Sequence, residues 1–171
     1  IVGTRRMTPY GERMCNKIVE QLAAQFPDTV IVSGLAFGAD AAAHRAALMF
    51  GVRTVGVVAN ALPSITPATN TTLAHEMLAQ GGAIVSEISS QARQNGNFYI
   101  PRNRIVAGLC DGLFVLESPF GGGSLHTAQA ADGYSRTVLA LPGRATDPMS
   151  AGTNALIRTG AARMVTSADD L

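Results

Sequence analysis

The fold is decided by the stretch TVIVSGLAFGADAAAH, residues 29–44, in which an apolar run meets a loop with glycines and then a helix-forming segment. Residues 30–32 are apolar at consecutive positions, and a strand of that kind is covered on both of its faces. Ser33, Gly34 and Gly38 follow at once, where a short connection from strand to helix needs small residues. The stretch therefore predicts one strand-loop-helix unit of a parallel α/β sheet.

The same alternation of short apolar runs and longer amphipathic segments continues along the chain. Strands are predicted at residues 1–3, 29–33, 54–59, 83–87, 112–117 and 137–141, with a weaker one at 163–165. Helices are predicted at residues 9–25, 39–50, 69–80, 102–109, 124–134 and 154–159. We therefore expect a single α/β domain over residues 1–171, with a doubly wound, mostly parallel sheet and helices on both faces.

The composition limits the class of protein. The 171 residues are 47% hydrophobic and 15% charged, with a net charge of +1, so a nucleic-acid or membrane-surface role would need local clustering of charge. No stretch reaches the roughly 18 to 20 apolar residues of a membrane span, and no membrane partner is expected. Cys15 and Cys110 are isolated, which favours a reduced, cytoplasmic protein. The chain opens on what looks like the end of a strand, so we expect a fragment of something longer.

Glycines and hydroxyl residues follow several strands at the predicted carboxyl edge of the sheet, where ligands bind in doubly wound folds. Glycine lets a backbone approach an anion closely, a helix N-terminus supplies free N–H groups, and Ser or Thr adds a donor. The candidate binding residues in these loops are Thr4, Arg5, Arg6, Ser33, Gly34, Phe37, Gly38, Gly122, Gly123, Ser124, Thr127, Gly152, Thr153 and Asn154. One such loop is weak evidence, but the set predicts a phosphate-binding site.

Two cofactor fingerprints are missing from the sequence. Gly-x-Gly-x-x-Gly does not occur in the first turn between strand and helix, and no acidic residue is suitably spaced after it. Gly-x-x-x-x-Gly-Lys-Ser/Thr is also missing, and the only lysine, Lys17, lies inside a predicted helix. An NAD enzyme and a P-loop ATPase are disfavoured, and we expect no cofactor.

The segment 98–109 combines aromatic and cationic residues. Pro101 suits the start of a helix, which puts the cations that follow it in the first turn, where they oppose the helix dipole unless an anion is present. The alternative to a bound anion is that these arginines lie at the surface and form ion pairs with Asp or Glu residues elsewhere in the chain. Two aromatic residues precede the proline, and aromatic rings beside guanidinium groups are typical of single-stranded nucleic-acid sites, although core packing explains Phe98 equally well. The candidates here are Phe98, Arg102, Asn103 and Arg104.

Several motifs, in order along the chain, resemble those of the DNA-processing protein A (DprA, also called Smf) family. They are VGTRR (2–6), SGLAFGADAAAH (33–44), PRNRIVAGL (101–109), GSL (123–125) with Thr127 and Ala128, ALPG (140–143) and GTNALI (152–157). The resemblance implies an extended Rossmann-like domain that binds single-stranded DNA at the strand ends. It also implies a homodimer that protects incoming DNA and loads the RecA recombinase in natural transformation, with no enzymatic activity.

The sequence departs from the family pattern at two positions. Phe37 stands where the family commonly has an arginine, and Phe120 lies where a lysine or arginine often precedes Gly-Ser. Each lost phosphate contact should lower the salt slope of binding by roughly one unit. The two rings offer instead stacking surfaces worth about 1 to 3 kcal/mol per base.

Two rival functions would use the same pocket. Phosphoribohydrolases of the LOG (lysine decarboxylase-like) type have a similar fold and a Pro-Gly-Gly-x-Gly-Thr-x-x-Glu loop whose glutamate serves the reaction. Here Gln129 stands at that position and Glu117 lies on the wrong side of the loop, which disfavours acid-base catalysis. A nucleotide-sensing module would keep the pocket without the DNA.

Other catalytic candidates are few. His44 follows Asp40 by four residues, so the two share a helical face, where such a pair more often ties a helix N-terminus together than acts as a base. His75 and His126 are isolated, and no spacing joins the histidines to the cysteines as metal ligands. We expect no metal site and no covalent chemistry.

Overall fold

Helices and strands alternate along the chain in the predicted order. The computed structural model describes residues 1–90 and 98–170. The helices in this part are α1 (Pro9–Gln25), α2 (Ala39–Met49), α3 (Thr71–Ala79), α4 (Tyr99–Gly108), α5 (Gly123–Gly133) and α6 (Ala151–Arg158). The strands are β1 (Val30–Ser33), β2 (Arg53–Val57), β3 (Ala83–Val85), β4 (Gly112–Val115), β5 (Thr137–Ala140) and β6 (Arg163–Met164). Short 3-10 turns occur at Ala68–Asn70, Pro148–Ser150 and Ala168–Asp170.

The strands pair in parallel, in two three-stranded sheets ordered β3-β2-β1 and β4-β5-β6. The strand predicted at the start of the chain is reduced to one bridge, between Val2 and Val115, because Val2 alone exchanges backbone hydrogen bonds with Phe114 and Leu116. Ile1 N donates to Val32 O of β1 at 2.8 Å, and Val2 N donates to Phe114 O of β4 at 2.9 Å. Residues 1–2 therefore join the two sheets, and the doubly wound parallel class is confirmed.

Apolar side chains cover both faces of the strands. On one face, α1 and α2 pack against Ile31 and Phe114. On the other face, α4 and α5 pack against Leu113 and Val138, while α3 adds a smaller cluster around Met77. Each fully buried side chain of this size contributes about 1.5 to 3 kcal/mol. This two-sided burial explains why the strands are apolar at consecutive positions.

Helix α4 begins three residues earlier than predicted, at Tyr99 instead of Arg102. Pro101 thus lies within the first turn, where its missing N–H costs no hydrogen bond. Arg102 N already donates to Phe98 O at 2.9 Å, so Arg102 and Arg104 both come after the first turn. The expectation that these cations oppose the helix dipole at its N-terminus is therefore wrong.

Smaller differences occur at several other boundaries. Helix α6 begins at Ala151 and not at residue 154, and β2, β3 and β4 each end two residues early. Beyond β3, Ser86 Oγ donates to Asn60 O at 2.7 Å, so a side-chain hydrogen bond replaces the ladder there. Within the described residues, no helix has both the length and the apolar character needed to cross a membrane.

Candidate functional site

A cleft of about 430 Å³ opens at the carboxyl edge of the sheet, where the sequence predicts the site. It lies between the first residues of the chain, the loop after β1, helix α4 and the start of α5, because the carboxyl ends of parallel strands share one edge. Nine of the predicted residues line it: Thr4, Arg5, Gly34, Arg102, Asn103, Gly122, Gly123, Ser124 and Thr127.

The N-terminus of α5 is the part of the cleft best equipped to hold an anion. Its N-cap residue, Gly122, offers no side chain to the first amides of the helix. Within the described residues, the amides of Gly123 and Ser124 have no hydrogen-bond partner. A Cβ at Gly123 would meet nothing within 4 Å, so this backbone is open to a ligand. Free amides at a helix N-terminus carry partial positive charge and bind phosphate.

Arg5 and Tyr99 form the second polar feature of the cleft. Arg5 is exposed, and its Cζ lies 4.9 Å from the centroid of the Tyr99 ring, a cation–π contact. Tyr99 lines the cleft, whereas Phe98, the predicted aromatic, is the half-buried N-cap residue of α4 and does not. The sequence shows Phe98 and Tyr99 as an aromatic pair. It does not show that α4 begins at Tyr99, which decides that Tyr99 is the one that lines the cleft.

The Arg102 side chain lies below the cleft surface and is only 4% exposed. Its Nη1 donates to Gly34 O at 2.6 Å and also to Val57 O. A Cβ on Gly34 would collide with this guanidinium and lie 2.5 Å from Asp40 Oδ2, so a glycine is needed where the two charged groups approach each other. Burial raises the pKa of the Asp40 carboxyl, and the Arg102 guanidinium opposes that rise. Arg102 therefore holds α4 to the ends of β1 and β2.

Nine predicted residues do not line the cleft: Arg6, Ser33, Phe37, Gly38, Phe98, Arg104, Gly152, Thr153 and Asn154. The hydroxyls of Ser33 and Thr153 are fully buried and donate to Ile1 O at 2.6 Å and to Ser150 O at 3.1 Å. Arg104 forms an ion pair with Glu87 at the surface, which is the alternative that the sequence left open. The side chains of Ser33, Thr153 and Arg104 thus already have partners inside the protein.

The GTN motif, residues 152–154, anchors two loops of the sheet edge. Gly152 N donates to Ser118 O at 2.8 Å, which holds the loop after β4. The Asn154 side chain accepts from Gly143 N at 3.1 Å and donates to Gly143 O at 3.0 Å, which holds the loop after β5. The motif thus shapes the edge of the sheet through its own hydrogen bonds.

Sequence reasoning missed several residues that line the cleft. Besides Tyr99 and Asp40, they are Val2, Gly3, Ala36, Ile100, Val106 and Pro119. Most are apolar or small, and nothing in a sequence distinguishes such a residue from one in the core.

His44 pairs with a strand residue and not with Asp40, so the expected Asp–His pair is wrong. Its Nδ1 lies 2.7 Å from Thr54 Oγ1, which itself donates to Ile31 O at 2.8 Å. The imidazole is fully buried, and this burial lowers the pKa of His44 to about 3. The ring is therefore neutral in the folded protein.

We expect His44 to make the protein less stable in acid. The unfolded chain takes up a proton near the usual histidine pKa and the folded chain does not, so the free energy of unfolding should fall by about 2 kcal/mol between pH 7.5 and pH 5. Urea denaturation of the wild type and of His44→Gln measures this contribution. The variant lacks the titrating group, so an identical pH dependence in both proteins would contradict the assignment.

The carboxylates do not support glycosidic cleavage in the cleft. Glu117 is fully buried on the α1 side, where it accepts from Thr8 N at 2.8 Å and Thr8 Oγ1 at 2.6 Å. Gln129 is exposed on α5, and among the described lining residues Asp40 is the one carboxylate.

The part of the chain that the structure describes offers little for thiol or metal chemistry. Burial raises the pKa of the Cys15 thiol to about 12. The described residues contain no group of three His, Cys, Asp or Glu side chains able to hold a metal ion.

Two curated relatives resemble the chain over nearly all of its length. Protein Smf of Escherichia coli K12 is 40% identical over 161 residues, which are 94% of this chain and 42% of that protein. DNA processing protein DprA of Streptococcus pneumoniae R6 is 38% identical over 172 residues, covering 100% of this chain and 59% of that protein. The chain thus spans about half the length of the curated relatives it matches.

Solved structures give the same result. The X-ray structure of DprA from Streptococcus pneumoniae has a TM-score of 0.87 at 37% identity, covering 99% of this chain and 58% of that one. DprA from Helicobacter pylori, solved to study its unique single-stranded DNA binding mode, has a TM-score of 0.85 at 31% identity, covering 99% of this chain and 75% of that one. The family model described as DNA recombination-mediator protein A matches residues 1–171. The chain therefore belongs to the DNA recombination-mediator protein A family.

Proposed function

We propose that this domain binds single-stranded DNA in the cleft and acts in DNA processing during natural transformation. The observation that carries the proposal is that the open amides of Gly123 and Ser124 and the Arg5 guanidinium over Tyr99 line one cleft. Amides and a guanidinium are phosphate ligands, and an aromatic ring beside a cation suits the stacking of a base. The DNA-binding mode studied in the Helicobacter pylori relative supports the same ligand.

Two exposed rings that directly follow lining residues in the sequence support a preference for single strands over duplex. Phe37 is 49% exposed next to the lining residue Ala36, and Phe120 is 83% exposed next to the lining residue Pro119. Unpaired bases can stack on such rings, whereas the bases of a duplex are already stacked on one another. Stacking and phosphate contacts carry little base information, so the proposed binding is not sequence-specific.

The proposal includes two partners beyond the DNA. We propose a homodimer that protects the bound strand and loads the RecA recombinase onto it, and the family description as a DNA recombination mediator supports the loading role. No catalysis is proposed, because Asp40 is the one carboxylate among the described lining residues of the cleft, and it is buried with its Oδ2 accepting from Ala36 N at 3.4 Å.

Fluorescence anisotropy with oligo-dT and with a matching duplex, over a series of salt concentrations, tests the function. We expect tighter binding to oligo-dT and an affinity that falls linearly with the logarithm of salt concentration. Arg5→Ala should weaken binding for all sequences and lower the salt slope by about 0.7 of a unit, the value for one phosphate contact on a single strand.

Arg45→Ala is the matched control, since it removes another exposed arginine, which lies in α2 and does not line the cleft. It should leave the salt slope and the affinity near those of the wild type. Equal affinity for oligo-dT and duplex, or no binding at low salt, would refute the proposed function.

A further inference from the structure

A second groove, of about 670 Å³, lies at the same carboxyl edge of the sheet. Pro9, Tyr10 and Arg13 line it at the start of α1, and Pro142 and Arg144 line it in the loop after β5. The loop of residues 4–8 separates it from the cleft, since the first residues of that loop line the cleft and the last lines the groove. We call it the α1 groove.

The α1 groove carries two arginines without partners. Arg13 and Arg144 are both exposed, and within the described residues neither guanidinium takes part in a hydrogen bond or an ion pair. One carboxylate, Asp147, also lines the groove, and its Oδ1 accepts from Met149 N at 2.9 Å, while Glu117 accepts from Thr8. Two free guanidinium groups from opposite walls suit a phosphate, which they bind through fixed pairs of N–H donors.

The walls of the α1 groove offer flat apolar surfaces next to these charges. The Tyr10 hydroxyl donates to Pro142 O at 2.7 Å, which links the two walls and holds the aromatic ring in place. Pro9 and Pro142 add two further rings. Guanidinium groups beside an aromatic ring, here that of Tyr10, are a combination with which proteins hold the phosphates and bases of single strands.

The loop between the cleft and the groove is itself cationic. Arg5 lines the cleft, and Arg6, the next residue, is exposed outside it. Four arginines, at positions 5, 6, 13 and 144, therefore follow one another from the cleft across the loop to the groove. A polyanion that occupies the cleft meets this positive charge on leaving it.

We propose that the α1 groove is a second binding segment for the same DNA strand and takes the nucleotides that leave the cleft over Arg5 and Arg6. The proposal rests on the proposed function and extends it by assigning phosphate contacts to Arg13 and Arg144. A strand must then exceed a minimum length to occupy both segments, so affinity rises in two stages as the strand lengthens.

The test compares the wild type with Arg13→Ala/Arg144→Ala, using oligo-dT of increasing length in anisotropy measurements. Short strands that fill only the cleft should bind both proteins alike. On long strands, the variant should lose the second rise in affinity, and its salt slope should be lower by about 1.4 units, twice the value for one contact. Arg45→Ala/Arg53→Ala is the control, because it removes the same charge from α2 and from the amino end of β2.

The possible outcomes separate the two proposals. If Arg13→Ala/Arg144→Ala keeps the wild-type slope and length dependence while Arg5→Ala weakens binding, the groove proposal is overturned and the proposed function stands. If the wild type binds no oligo-dT, the proposed function itself fails. If Arg45→Ala/Arg53→Ala loses as much affinity for long strands as Arg13→Ala/Arg144→Ala, the loss comes from the change in net charge, and the groove assignment is overturned. The substituted side chains are exposed, and thermal melting checks that each variant is folded.

Discussion

Replacing Arg102 with alanine is expected to lower the free energy of unfolding by about 3 to 5 kcal/mol, because two buried carbonyls lose a charged donor and the buried Asp40 carboxyl loses a nearby positive charge. Asp40 is 8% exposed, and the Arg102 charge is the largest of the influences that oppose the burial-raised pKa of its carboxyl. Gly34 O and Val57 O would also lose their donor. Urea denaturation at pH 7 measures the loss.

Asp40→Asn in the Arg102→Ala background separates the charge from the backbone contacts. It should recover part of the lost stability, because no buried carboxylate remains to be charged.

Lower pH should also recover part of the stability that Arg102→Ala loses. Burial raises the pKa of Asp40, and without Arg102 the pKa rises further, so the folded variant takes up a proton at a pH where the unfolded chain does not. The deficit of Arg102→Ala should therefore shrink as the pH falls toward the usual aspartate pKa.

A deficit that is constant with pH and unchanged by Asp40→Asn would assign the loss to the two carbonyl contacts instead. Either result bears on DNA-binding experiments. Arg102→Ala alters the support of the cleft, so a loss of affinity in this variant does not by itself identify a phosphate contact. Arg5, which is exposed in the cleft, is the better choice for that purpose.

Gly38→Ala is the second substitution with a large expected effect, a loss of about 3 kcal/mol or more in unfolding free energy. Gly38 has φ +71° and ψ −122°, a combination that L side chains rarely adopt. A Cβ there would also lie 2.6 Å from Arg5 C and collide with Thr4 O, and backbone atoms cannot rotate away. Chemical denaturation measures the loss.

Gly51→Ala is the matched control for Gly38→Ala. Gly51 has nearly the same φ, +69°, but a Cβ there meets nothing within 4 Å. Only the backbone conformation opposes this substitution, which should cost about 1 to 2 kcal/mol. Equal losses at the two glycines would contradict the close approach between the loop after β1 and residues 4–5.

The fold class could be predicted because it depends on patterns local to the sequence. Consecutive apolar residues such as 30–32 identify strands covered on both faces, and the amphipathic segments between them identify the helices. The start of α4 could not be predicted. Phe98 gives no side-chain cap, and Pro101 fits the third helical position as well as the first.

The candidate site could be predicted only in part. The sequence located the loops of the carboxyl edge correctly, but it does not say whether a polar side chain faces a ligand or another loop. Arg102 and Gly34 are 68 residues apart, and Ser33 bonds to Ile1 over 32 residues. Such partners come together only when the sheet forms, so a pattern of neighbouring residues in the sequence cannot predict them.

The bridge at Val2 has a consequence for how the domain unfolds. Each half of the sheet has its own ladder, whereas residues 1, 2 and 4 supply backbone hydrogen bonds to both sides of the seam between β1 and β4. The cleft lies over this seam, with Gly34 on one side and Gly123 on the other. The two halves can then unfold as separate cooperative units. A ligand that contacts both halves binds only while both are folded, so ligand binding should stabilise the two halves together.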